Sequence, residues 1–209
     1  MVSKIYLIRH GITEGNQKKW FYGAADLPLA EEGVTALREA AAAGLYPQIA
    51  EDADCYTTGL LRTEQTFELI FGKRDHGVIS NLREMEFGNH ECKSYEELKD
   101  DEEFSAWCWD ESGDAVLTGG ETKNAFAARI SEGLAELIGY HRLKELAHRH
   151  DGKDAVTIMV CHGGVISAVM QELFPEAKGN MWDWMPDPGT GYAVLFEDSE
   201  PAAFEVIGK

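Results

Sequence analysis

Apolar positions along the chain fall into two patterns, short unbroken runs and stripes of helical period. Ile5-Tyr6-Leu7-Ile8 is a run that stops at Arg9, the mark of a short strand buried on both faces. Val156-Thr157-Ile158-Met159-Val160-Cys161 is a second run of this kind. Shorter strands are predicted at 54–57 and 78–79. Residues 192–196 and 203–206 read as two further strands, joined as a hairpin across Asp198-Ser199-Glu200-Pro201. Helical signals lie between the strands. The alanine-rich segment after Ala30 predicts a helix to Ala43, stopped by Gly44 and Pro47, with no side chain at Ala30 able to cap it. Another helix opens around Arg62. Phe126, Ile130, Leu134, Leu137 and Ile138 form the apolar stripe of a long helix after Gly119-Gly120-Glu121-Thr122. Gly163-Gly164 opens a helix to about Leu173. Ser94-Tyr95-Glu96-Glu97 has the form of a capping box and starts a helical, strongly acidic insert. Residues 17–23 and 182–191 read as loops. Strands alternating with helices over 209 residues predict one α/β domain spanning 1–209.

The net charge of −18 argues against nucleic acid or an anionic membrane as a partner, since both call for a basic face. No apolar run approaches the length of a membrane helix. The first apolar stretch is already the first predicted strand rather than a charged-then-apolar leader. The four cysteines (Cys55, Cys92, Cys108, Cys161) are scattered, as in a cytoplasmic protein with reduced thiols. The seven histidines show no metal-ligand spacing, and His148 and His150 read as solvated near a helix end.

Both long apolar runs end in histidine. The first stops on Arg9-His10-Gly11, the second on His162-Gly163-Gly164. Ligands of open α/β sheets bind at the carboxyl ends of strands, so a cation and two imidazoles there are candidate site residues. Gly11 allows a sharp turn and a close approach of backbone to ligand. Thr13 and Asn16 supply a hydroxyl and an amide that can donate to anionic oxygens. Arg62, in the first turn of its helix, opposes the helix dipole and suits an anion bound at that end.

The complete pattern R-H-G-x-T-x-x-N at residues 9–16, Leu60-Leu61-Arg62-Thr63, Leu82-Arg83-Glu84-Met85-Glu86-Phe87-Gly88 and the second His-Gly together resemble the histidine phosphatase superfamily, its phosphoglycerate-mutase-like branch. The likeness runs from about residue 4 to the last strand. It implies a three-layer α/β/α sandwich with a mixed, mostly parallel sheet, in which the strands ending at His10 and His162 are neighbours. The insert at about 89–120 then reads as a small helical cap over the pocket. The chain departs from the family pattern at Ala30, Gly59, Thr63 and Cys92.

The resemblance also implies roles without metal or cofactor. His10 attacks phosphorus and becomes phosphohistidine. Arg9, Arg62 and His162 clamp the phosphoryl oxygens, with Thr13, Asn16, Gly11 and Gly163 completing the phosphate site. Glu84 is the acid and then the base; Glu86 competes for that role, and the family spacing selects Glu84. The expected activity is that of a phosphoric monoester hydrolase acting on a small phosphomonoester, with the α-ribazole phosphatase-like and broad-specificity branches both open. A cofactor-dependent phosphoglycerate mutase is the first alternative and a non-catalytic phospholigand-binding module the second. Among charged side chains from Asn89 to Glu121 the only cations are Lys93 and Lys99, which favours hydrolysis over the mutase's grip on a second anion. Trp20 and Tyr22 either line the pocket mouth or pack their loop. Trp107 and Trp109 either face the site or anchor the cap, and anchoring is the favoured expectation. No oligomeric state follows from the sequence. Phosphatase activity should survive EDTA, because the clamp is built from arginine and histidine; loss on chelation with recovery on added Mg²⁺ or Zn²⁺ would contradict this.

Overall fold

The first apolar run forms β1 (Ser3–Arg9) inside a six-stranded sheet of the computed structural model, which describes residues 2–209. A single helical turn, α1 (Glu14–Gln17), and a two-residue strand, β2 (Trp20–Phe21), follow. Then come α2 (Glu31–Ala42), β3 (Asp54–Thr57), α3 (Leu61–Phe71) and β4 (Gly77–Val78). The cap segment contains β5 (Lys93–Ser94), α4 (Tyr95–Leu98) and α5 (Glu102–Cys108). The chain continues through α6 (Lys123–His148), β6 (Ala155–Cys161), α7 (Gly163–Leu173), β7 (Gly191–Glu197) and β8 (Glu200–Ile207). The sheet order is β4-β3-β6-β1-β7-β8. β4, β3, β6 and β1 run parallel, β7 is antiparallel to β1, and β8 is antiparallel to β7. This is the mixed, mostly parallel sheet the resemblance implied.

Side-chain alternation along β1 divides the core in two. Ile5 and Leu7 pack with Met159, with Ile130, Leu134 and Leu137 of α6, and with Val165 and Val169 of α7. Ile8 packs on the other face with Val160, Leu37 of α2 and Phe67 of α3. Helices therefore cover both faces, which is why β1 and β6 read as unbroken apolar runs. Each buried Leu or Ile contributes roughly 1.5–3 kcal/mol.

Local signals match the predicted ends. Ala30 makes no side-chain cap to α2, and Ser94 and Glu97 form the capping box of α4. Gly59, where the resemblance implied a proline, stands at φ +78, a region closed to proline, whose ring fixes φ near −65. The hairpin turn is tighter than predicted. Asp198 and Ser199, both at positive φ, make it alone, and Pro201 lies within β8. β8 is an edge strand, where a missing N–H breaks no ladder.

Two further expectations are revised. His148 is only 9% exposed, its Nδ1 bonded to the Asp154 carbonyl at 2.8 Å, while His150 is exposed as expected. The segment 17–23 is not all loop: Trp20 and Phe21 pair with Ser94 and Lys93 in a two-stranded ribbon. That ribbon joins the segment after the first motif to the cap, whose small core is Leu98, Phe104, Trp107 and Leu117 with Phe21 and Phe87 against it. The four cysteines are free, and no helix among the described residues is long and apolar enough to cross a membrane.

Candidate active site

Parallel pairing of β1 with β6 runs to the last residue of each, Arg9 opposite Cys161. The next residues, His10 and His162, therefore leave the sheet together, with ring centroids 5.4 Å apart. His10 is 3% exposed and lies on the floor of a cleft of about 530 Å³. Its Nδ1 is 2.8 Å from the Gly11 carbonyl. A carbonyl only accepts, so Nδ1 carries the proton and Nε2 keeps its lone pair. Burial, then the charges of Arg62 and Arg9, hold the ring well below the ordinary imidazole range.

His162 is fully buried behind His10. Arg62 Nε–H donates to its Nδ1 at 3.3 Å, so its Nε2–H is the one paired with Thr58 Oγ1 at 2.9 Å. Burial, followed by Arg62 and its other neighbours, holds it neutral too. Arg62 is fully buried as well, with Nη1 and Nη2 donating to the carbonyls of Ala25 and Gly23, each at 2.8 Å. Its guanidinium lies over the Tyr22 ring, 5.0 Å from the centroid. These two predicted clamps thus stand beneath the floor rather than on the cleft surface.

The cleft surface itself carries Arg9, His10, Asn16 and Glu84. Arg9 donates through Nη1 to the Pro186 carbonyl at 2.7 Å, and its Nε is buried with no partner among the described residues. An unmade hydrogen bond of this kind costs about 1–3 kcal/mol, which an anionic oxygen would recover. Asn16 Oδ1 accepts from the Thr13 N–H at 2.9 Å and the Thr13 hydroxyl at 3.0 Å. The amide is thereby fixed with Nδ2 free to donate. Thr13 itself is fully buried, its hydroxyl engaged with Asn16 and, at 2.6 Å, with the Tyr22 hydroxyl. It caps α1 and orients Asn16 instead of reaching the cleft.

Glu84 accepts from the Gly164 N–H at 2.9 Å and the Met85 N–H at 3.0 Å. A Cβ at Gly164 would lie 2.6 Å from Glu84 Oε1, so the approach of this carboxylate to α7 requires glycine. Glu86 is exposed and does not line the cleft. Gly163 opens α7, and a Cβ there would press within 3.0 Å of the Arg9 guanidinium. The positive end of the α7 dipole adds to the potential at the floor. Gly11 has a different reason from the expected ligand approach. A Cβ there would meet Leu37 of α2 at 2.6 Å, its N–H donates to Thr66, and it is absent from the cleft wall.

Above the floor the walls are aromatic. Trp20, Phe21 and Tyr22 line the cleft, and Phe21 and Tyr22 also pack their segment, against the cap core and against Thr13 and Arg62, so both alternatives hold. Trp107 both anchors the cap core and lines the cleft; Trp109, 79% exposed, does neither. The sequence reading missed Lys123, Asn124 and the wall at Met181, Trp182 and Met185. Lys123 brings to the cleft a cation from just beyond the insert, whose own two expected cations, Lys93 and Lys99, do not line it, although Asp110 and Glu111 line the same rim. One group of ligand type exists among the described residues, His90, Asp101 and Glu103, and none of the three lines the cleft. Sequence spacing had hidden it, because His90 stands apart from the two acids in the chain.

Comparison with known proteins places the chain among relatives of two kinds. Residues 5–206 match the family described as histidine phosphatase superfamily (branch 1). An adenosylcobalamin/alpha-ribazole phosphatase of Escherichia coli is 30% identical, over 91% of this chain and 89% of its own. A 2,3-bisphosphoglycerate-dependent phosphoglycerate mutase of Bradyrhizobium diazoefficiens is 28% identical, over 82% and 83%. Among solved structures, a putative alpha-ribazole-5'-P phosphatase from Escherichia coli superposes with a TM-score of 0.80 at 26% identity, covering 99% of this chain and 96% of that one.

The burial of the histidines sets a pH dependence. Unfolded imidazoles take up a proton near pH 6.5, whereas folded His10, His141 and His162 are all held lower. The stability this gives is complete above about pH 6.5 and is lost as the pH falls below it. The melting temperature should therefore be lower at about pH 5.5 than at 7.5, and His10 should titrate by NMR below 6.5. A His10 titration at or above 6.5 would contradict the geometry of the floor.

Proposed function

The chain belongs to the histidine phosphatase superfamily, branch 1, and we propose that it is a metal-independent phosphatase that hydrolyses a small phosphomonoester through a phosphohistidine on His10. The observation that carries this reading is the fixed tautomer of His10. Nδ1–H held on the Gly11 carbonyl leaves Nε2 as a lone-pair nucleophile on the cleft floor. Nε2 attacks phosphorus, and the bond to the leaving oxygen breaks as Glu84 gives that oxygen a proton. Glu84 then takes a proton from water, whose oxygen displaces His10 and releases inorganic phosphate. Arg9 Nε and Asn16 Nδ2 supply donors for the phosphoryl oxygens. Arg62, beneath the floor, supplies charge in surroundings that screen it little, and His162 holds Arg62 and the edge of the His10 ring. The whole chain, 1–209, is read as one domain with its cap at about 89–120.

The relatives' names support a leaving group like that of an α-ribazole phosphate, and the aromatic walls support it independently. A cleft of about 530 Å³ suits an ester of nucleoside size. The mutase reading draws support from the second kind of relative. Against it, the rim adds one cation, Lys123, and two acids, Asp110 and Glu111, a poor grip for a second anionic group.

Offered 3-phosphoglycerate with a trace of 2,3-bisphosphoglycerate, the protein should form little 2-phosphoglycerate, and it should release inorganic phosphate from aromatic monoesters. His10→Ala should abolish that release while the protein stays folded. The reading fails if 2-phosphoglycerate forms faster than free phosphate. It fails equally if His10→Ala keeps more than about a tenth of kcat, a loss of less than about 1.4 kcal/mol.

A further inference from the structure

Lys123 is the first residue of α6 and lines the cleft, yet the hydrolytic steps do not use it. Its Nζ donates to the carbonyls of Cys108, at 3.1 Å, and Asp110, at 3.0 Å, which end α5 and begin the rim. The same ammonium lies 5.1 Å from the centroid of the Trp107 ring. An ammonium has three N–H donors, so two carbonyls leave one. Beside it, the Trp107 indole N–H is buried with no partner among the described residues, although the residue itself lines the cleft and is 8% exposed. The rim is held firmly around this pair. Asn124 ties down the Ser112 carbonyl at 2.9 Å, and the Asp110 carboxylate, lowered to about 2 by its bonds to Ser112 and Ala115, stays ionised inside the loop.

We propose that Lys123 and Trp107 form a leaving-group subsite that selects a planar heteroaromatic ring bearing a neutral hydrogen-bond acceptor. The inference rests on the phosphatase reading and names its substrate class. Three features of the cleft carry it. The walls are aromatic and take a flat ring better than an aliphatic chain. The spare donor of Lys123 takes a ring nitrogen or a carbonyl oxygen. The rim holds one cation against the two carboxylates of Asp110 and Glu111, net −1, so the acceptor it favours is neutral and a second anion is repelled.

The test compares AMP, whose ring nitrogens are acceptors, with 1-naphthyl phosphate, which is flat and has none. Binding is read by tryptophan fluorescence and turnover by phosphate release, in wild type, Lys123→Met and Lys123→Arg. Losing a charge-assisted hydrogen bond should cost about tenfold. Lys123→Met should therefore weaken AMP at least about tenfold more than 1-naphthyl phosphate, mostly in Kd and KM, with Lys123→Arg restoring much of the difference. Equal losses on both esters would mean that Lys123 only pins the rim, and would overturn the proposal. So would a wild type that does not prefer AMP. Selective binding without turnover of either ester would instead sink the phosphatase reading and leave the subsite standing.

Discussion

The site depends on one backbone constraint, the parallel pairing of β1 with β6 carried to its last residue. The His10 N–H donates to the Cys161 carbonyl at 3.0 Å, one step beyond the paired residues Arg9 and Cys161. That bond fixes where both histidines leave the sheet. A slip of one residue would turn Ile5, Leu7 and Ile8 onto the wrong faces, so the two-sided core enforces the register that the chemistry uses. Core and site are thus one structure: the helix layers that bury β1 and β6 also deliver α7 to the floor and α3, with Arg62, beneath it.

An acidic protein holds anion-binding cations here by placing them where water screens little. Arg62 is fully buried, and backbone carbonyls and a neutral imidazole, none of them carrying a formal charge, take its hydrogen bonds. Its charge is therefore not cancelled by a carboxylate in direct contact. Arg9 keeps a buried Nε without a partner. Both cations also disfavour a proton on His10 and His162. In the proposed reaction, one arrangement would thus both attract a phosphate and, together with burial, keep the nucleophile neutral.

Much of this was legible in the sequence because it is local. Unbroken apolar runs gave β1 and β6, and the residues just after them gave the two histidines. Caps and helix stops gave both ends of α2 and the starts of α4 and α6 nearly to the residue. What was not legible depends on distant segments meeting. The pairing of Trp20 and Phe21 with Lys93 and Ser94 has no local signal in two-residue strands. Lys123 sits just past the insert and reaches the cleft only because α6 starts against the end of α5. Thr13 and Gly11 stand in the right motif for reasons other than ligand contact, one orienting Asn16 and the other clearing Leu37. A motif records which residues are needed; the packing decides what each is needed for.

The central claim is that the Gly11 carbonyl fixes which nitrogen of His10 attacks. The most direct measurement is to acid-quench the enzyme during turnover of an aromatic phosphomonoester, base-stabilise the phosphoenzyme, and locate the phosphoryl group by peptide mass spectrometry and ³¹P NMR. The account predicts phosphate on His10, bonded to Nε2. Phosphate on Nδ1 of His10 or on His162 would contradict it, as would turnover in which no phosphoenzyme ever forms.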